Sequence, residues 1–132
     1  MQAWYDVLSS SEVKAVGSIL MGAAHADGGV TREEAGEVRR ILEELFGEKP
    51  LPDFLVDHLL TFNPQAFDLA TTCASLRLQG PEERRGLLSL VARIVEADGI
   101  YDLAEDSYLR RVAREIGAEP GEYRDLVIER VE

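Results

Sequence analysis

His25-Ala26-Asp27-Gly28-Gly29-Val30-Thr31-Arg32-Glu33-Glu34 has a diverged counterpart further along the chain, Glu96-Ala97-Asp98-Gly99-Ile100-Tyr101-Asp102-Leu103-Ala104-Glu105. Aspartate, glycine and the glutamate seven residues beyond the aspartate recur at one offset (98 − 27 = 71; 105 − 34 = 71). The correspondence extends outward on both sides. Val16, Ile19, Leu20, Ala23 and Ala24 align with Leu87, Leu90, Val91, Ile94 and Val95, and Arg39-Arg40-Ile41 aligns with Arg110-Arg111-Val112. Such self-similarity predicts two copies of one helix–acidic loop–helix unit, at about 13–47 and 84–117.

The flanking segments read as helices. Ser9-Ser10-Ser11-Glu12 and Thr31-Arg32-Glu33-Glu34 are capping boxes, each ahead of an apolar stripe at i, i+3, i+4 spacing. Val13, Val16, Ile19, Leu20 and Ala23 form the first stripe; Ala35, Val38, Ile41, Leu42 and Leu45 form the second, stopped by Gly47 and Pro50. Pro52 starts a short helix through Leu55, Leu59 and Phe62, and Asn63-Pro64 looks like the cap of another. Phe67 to Leu78, apolar on most sides, is expected to be the central helix. Pro81, Asp102 and Pro120 open three more helices, the last carrying Tyr123, Leu126, Val127 and Val131. No run alternates like a strand. The expected fold is therefore all-α: one compact bundle of about seven helices, spanning 1–132 as a single domain, with an internal duplication.

Composition narrows the function. With 25 acidic and 14 basic side chains, the net charge is −11, which repels a phosphate backbone. Arg84, Arg85, Arg93, Arg110, Arg111 and Arg114 are interspersed with glutamates, so no nucleic-acid partner is expected. The first residues have neither a basic region nor a long apolar run, so no signal peptide is predicted, and no stretch approaches the ~20 apolar residues of a membrane span. The single Cys73 lies in an apolar-periodic segment and reads as a core thiol in a reducing compartment. A cytoplasmic protein follows, one still able to dock on the inner face of a membrane. A homo-oligomer is compatible with the sequence.

The acidic corners are the candidate site. Asp27 and Asp98 each stand in the last turn of a helix, where the helix dipole favours a cation by about 0.3–1 kcal/mol. Glu34 and Glu105 fall in the first turn of the following helix, with Glu33 and Asp102 at the periphery. These oxygens suit a hard divalent cation, calcium or magnesium rather than zinc, with water or carbonyls completing the shell. They equally suit a basic protein surface. The same residues could also serve only the turn, the aspartates as loop formers and the glutamates as capping-box partners. An EF-hand is excluded, because its acidic twelfth position would fall on Val38 or Leu109. His58 among Leu55, Leu59 and Phe62 reads as a hydrogen-bonded core histidine, and His25 has Glu96 as its counterpart. There is no nucleophile elbow, phosphate-binding glycine loop or Cys-x-x-Cys. Arg39, Arg40, Arg110 and Arg111 are expected on solvated faces, paired with residues such as Glu43 and Glu115.

Two corners of the form Ala-Asp-Gly-x-x-x-x-x-x-Glu (Ala26, Asp27, Gly28, Glu34; Ala97, Asp98, Gly99, Glu105) resemble the TerB family of tellurite-resistance proteins. They are also similar to the N-terminal domain of a membrane-anchored DnaJ-type co-chaperone. The resemblance spans roughly Val13 to Gly117. It implies an all-helical domain without catalysis, linked to tellurite and chemical-stress resistance. It also implies metal binding at Asp27, Glu34, Asp98 and Glu105, and protein partners that include a membrane-associated resistance complex. Ala104, where the first copy has Glu33, makes the second corner less acidic at its rim. Two rival readings use the same residues: a metal-dependent enzyme built on the corner carboxylates, and a scaffold in which those carboxylates are purely structural.

Overall fold

Ser9, itself in extended conformation, caps the first helix. Its hydroxyl accepts from the Glu12 amide while the Glu12 carboxylate accepts from the Ser9 amide, so two otherwise orphaned N–H groups are satisfied together. The structure, a computed structural model, describes residues 8–26, 28–47, 51–76, 78, 80–97 and 103–126; the side chains of Phe46, Leu103 and Glu105 are also outside that description. Among the described residues there are seven α-helices and no strand. They are α1 (Ser10–Ala24), α2 (Arg32–Phe46), α3 (Asp53–Leu60), α4 (Leu69–Ala74), α5 (Pro81–Val95), α6 (Leu103–Glu115) and α7 (Pro120–Tyr123), the last running into a 3-10 turn at Arg124–Leu126. The expected all-α class and helix number hold.

The centre of the bundle is α1, which packs against α2, α3, α4, α5 and α6. This corrects the expectation that 67–78 forms the central helix. The reason lies in side-chain size. α1 carries Gly17 and Gly22 among its buried residues, so neighbours approach its backbone on several sides. A Cβ on Gly17 would lie 3.3 Å from Leu42 Cδ1, and one on Gly22 only 2.2 Å from Tyr108 Oη. By contrast α4 has only six residues, and Ala70, Thr71 and Ala74 on it are exposed. The hydroxyls of Thr72 and Ser75 donate to the Asp68 and Thr72 carbonyls, at 2.8 and 2.6 Å, which offers the backbone alternatives to a longer helix.

The cap before α4 also differs from expectation. Asn63-Pro64 forms a turn, in which Asn63 Oδ1 accepts from the Gln65 amide at 3.0 Å, and Asp68 caps the helix by accepting from Thr71 N–H. Asparagine serves an Asx-turn as readily as a helix cap, and Asp68 supplies the cap from which the helix starts. Gly47 and Gly117, at φ of +77° and +76°, follow α2 and α6 in the left-handed conformation that ends helices. α5 begins and ends 71 positions after α1 (81 − 10; 95 − 24), and α6 begins 71 after α2 (103 − 32). Ile19, Leu20, Ile41, Leu42, Leu55, Leu87, Leu88, Ile94 and Leu109 are fully buried and belong to one hydrophobic cluster. Leu126 packs against that cluster, whereas the expected helical positions Val127 and Val131 lie outside the described residues.

Candidate functional site at the acidic corners

The first corner is built by the end of α1 and the start of α2. His25 closes α1 in an α-type cap, Gly28 takes a φ of +99° that L side chains rarely adopt, and Thr31 turns the chain into α2. Thr31 Oγ1 accepts from the Glu34 amide at 3.0 Å, and Glu34 Oε1 accepts from the Thr31 amide at 2.9 Å. The capping box read from the sequence is therefore formed.

Only half of the Glu34 carboxylate is spent on it. Glu34 has no solvent exposure, and its second oxygen, Oε2, is buried without a hydrogen-bond partner among the described residues. Leaving a buried polar atom unmet costs about 1–3 kcal/mol, more when the group is charged. A capping glutamate at the bundle surface would avoid that cost by leaving its spare oxygen in water. Glu34 does not.

Glu33, by contrast, is exposed and lines an open cleft of about 450 Å³ with Glu37, Arg40, Arg93, Glu96 and Ala97. The cleft lies where α2 packs on α5. It brings the rim of the first corner together with Glu96 and Ala97, which lead directly into the second. Its floor is charge-balanced. Arg93 donates through Nε to Glu37 and through Nη1 to Glu44, both at 2.9 Å, and Arg40 also pairs with Glu37. Among the described residues, Glu33 and Glu96 have no basic ion-pair partner in the cleft. The other expected donors, Asp27, Asp98 and Asp102, lie outside the described residues, as does the Glu105 side chain. No group of three or more His, Cys, Asp or Glu side chains among the described residues is arranged to share a metal ion.

Sequence reasoning passed over Asp106. It is fully buried on α6, next to Glu105, and its Oδ2 accepts from Arg110 Nε at 2.8 Å. The signal was present in the spacing, since Asp106 precedes Leu109 by three residues on the apolar stripe; its counterpart 71 positions earlier, Ala35, expected on the buried face of α2, is instead exposed. Arg40 and Arg110 thus use Glu37 and Asp106, the acids one turn before them, rather than Glu43 and Glu115. Arg84 and Arg85 are likewise engaged, with Glu122 and Asp125.

Both histidines sit elsewhere in chemistry. His58 shares a 2.7 Å hydrogen bond with Ser18 Oγ, and burial together with the nearby Lys14 ammonium pushes its pKa down, against a backbone hydrogen bond to Lys14. It is the hydrogen-bonded, partly buried histidine that the sequence suggested. His25 stacks on Phe62 at 5.5 Å between ring centroids. Cys73 is a buried thiol whose pKa burial, with a smaller contribution from Glu115, pushes up to about 12, a poor nucleophile at neutral pH.

No helix among the described residues is long and apolar enough to cross a membrane. No curated protein and no solved structure matches the chain. A family model described as tellurite resistance protein TerB matches residues 13–127. With seven helices in place and that match covering nearly all of its length, the chain belongs to the TerB family.

Proposed function

We propose that this protein is a non-catalytic, stress-linked member of the family whose two acidic corners hold a divalent cation, or the basic surface of a protein partner. The observation that carries the reading is Glu34 Oε2, a carboxylate oxygen held inside the protein with no hydrogen bond among the described residues. A cation, or a donor brought by a partner, would remove the cost of that orphaned oxygen. Hard cations take oxygen ligands, and calcium accepts six to eight of them, carbonyls and water included. Glu34 fits such a shell; Asp27, Asp98 and Glu105 would supply the remaining carboxylates, with Glu33 and Asp102 at the edge. Calcium or magnesium suits this set better than zinc, which prefers His and Cys. The cleft carrying Glu33 and Glu96 supports a shared site reached from both corners. The partner we favour is a membrane-associated resistance complex, met from the cytoplasmic side.

Isothermal titration of calcium, magnesium, manganese and zinc into three proteins tests this. They are the wild type, Glu34→Gln, and Asp27→Asn/Asp98→Asn. Glutamine keeps an oxygen for the Thr31 amide, so the cap survives while the charge is lost. Binding heat in the wild type that falls at least tenfold in affinity in both variants supports the cation site. Heat that persists unchanged in both moves the site elsewhere. With no heat from any metal, the cation reading fails, and retention of a partner that weakens from low to high salt becomes the test of the basic surface.

A further inference from the structure

A second hollow lies at the same end of α1, on the side where α4 and α6 pack. It encloses about 250 Å³ and is lined by Gly22, His25, Phe67, Leu69, Tyr108 and Arg111, together with Ala26 and Pro64. Its chemistry is the reverse of the acidic cleft. Leu69 and Tyr108 are buried, and the Tyr108 hydroxyl is turned away into the bundle, donating to the Ile19 carbonyl at 2.7 Å. Phe67 packs on Phe62 at 5.3 Å, and Phe62 in turn stacks on His25, so an aromatic wall exists before any ligand arrives.

Arg111 lies one helical turn beyond Tyr108 and borders the hollow. Five other arginines, Arg40, Arg84, Arg85, Arg93 and Arg110, are paired with carboxylates. Arg111 has no such partner among the described residues, although the chain carries a net charge of −11. The ring nitrogens of His25 also form no hydrogen bond among those residues. An arginine with no counter-ion among the described residues, beside an aromatic wall, suits an anion with an apolar body, since guanidinium and carboxylate match in a planar, two-point geometry.

We propose that this hollow binds a small aromatic carboxylate, its ring against Phe67 and Tyr108 and its carboxylate on Arg111. The volume lies below the roughly 300–1,000 Å³ of drug-sized sites, which limits the ligand to a single ring. The site is independent of the cation reading, sharing neither Glu34 nor Glu33.

Benzoate titrated into ¹⁵N-labelled protein, followed by amide chemical shifts, is the test. Saturable shifts are expected at Gly22, Ala26, Leu69 and Arg111. Arg111→Gln should weaken binding about tenfold, as loss of a charge-assisted contact does. Arg114→Gln, an exposed arginine on the same helix, should leave it unchanged, and so should Glu34→Gln. Arg111 is exposed and carries no ion pair among the described residues, so its variant keeps the fold, which the dispersion of the same spectra verifies. Absence of saturable shifts, equal affinity in Arg111→Gln, or equal binding of uncharged benzyl alcohol would each overturn the proposal.

Discussion

Gly22 lies in the last turn of α1, where glycine is up to about 1 kcal/mol less favourable than alanine, and yet alanine does not fit there. Its Cβ would stand 2.2 Å from Tyr108 Oη and 2.9 Å from both Tyr108 Cζ and Phe67 Cε2. The tyrosine cannot simply withdraw, because its hydroxyl is bonded to the Ile19 carbonyl. Gly22→Ala is therefore expected to destabilise the protein by about 1–3 kcal/mol through overpacking. Tyr108→Phe should cost about 1 kcal/mol for the lost hydrogen bond. Because phenylalanine removes the closest atom, the double variant should cost less than the sum, by about 0.5 kcal/mol or more, in urea denaturation of all four proteins. Strict additivity would mean that the clash is absorbed elsewhere. None of this was legible in the sequence. Tyr108 and Gly22 are far apart along the chain, and a glycine within an apolar stripe does not announce which side chain requires the space.

Among the elements, α7 and the turn after it are tied to α5 by ion pairs as well as by the half-buried Tyr123 and Leu126, none of the α7 residues being fully buried. Arg84 donates to both Glu122 oxygens at 3.0 and 2.7 Å. Arg85 grips both Asp125 oxygens at 2.8 Å and donates to the Glu122 carbonyl at the same distance. These guanidinium partners hold Glu122 and Asp125 below the ordinary carboxylate range. Their contribution is therefore present above the usual carboxylate pKa and lost as pH falls through the lowered values. Arg84→Met/Arg85→Met should speed amide hydrogen exchange across 120–126 and leave α1 protected; unchanged exchange there would show that packing alone retains the segment. Helix starts were largely readable, since Ser9, Thr31 and Pro81 act through local chemistry. The rank of the helices was not. Small apolar residues in 67–78 imitate a buried helix in composition, whereas α1 becomes the hub through close approach at glycines, which is a property of its neighbours. For the site, Thr31 and Glu34 could be read from spacing because a capping box is local. The burial of Glu34 Oε2 could not, because it depends on which helices close over the corner.

At the scale of the whole molecule, two buried acids set the alkaline limit. Burial raises both the Cys73 thiol, from 9.0 to about 12, and the Tyr108 phenol. Above about pH 9 the unfolded chain releases protons that the folded protein keeps. Stability contributed below that pH is thus lost as pH rises toward 12, by up to about 1.4 kcal/mol per pH unit for each group. Denaturation midpoints should fall as pH rises from about 9 toward about 11, and Cys73→Ala should flatten the decline; a pH-independent midpoint would contradict the buried thiol. The net charge of −11 shapes the surface differently, since Arg93 and Arg40 are drawn into pairs with Glu37 and Glu44 while Glu33 and Glu96 are left facing the α2–α5 cleft. That α1 is the hub also bears on how the chain is made. The apolar circumference of α1 is completed by α5 and α6, which are translated well after it. Until then its buried face lacks its native cover, and the native packing can close only once α6 has been synthesised.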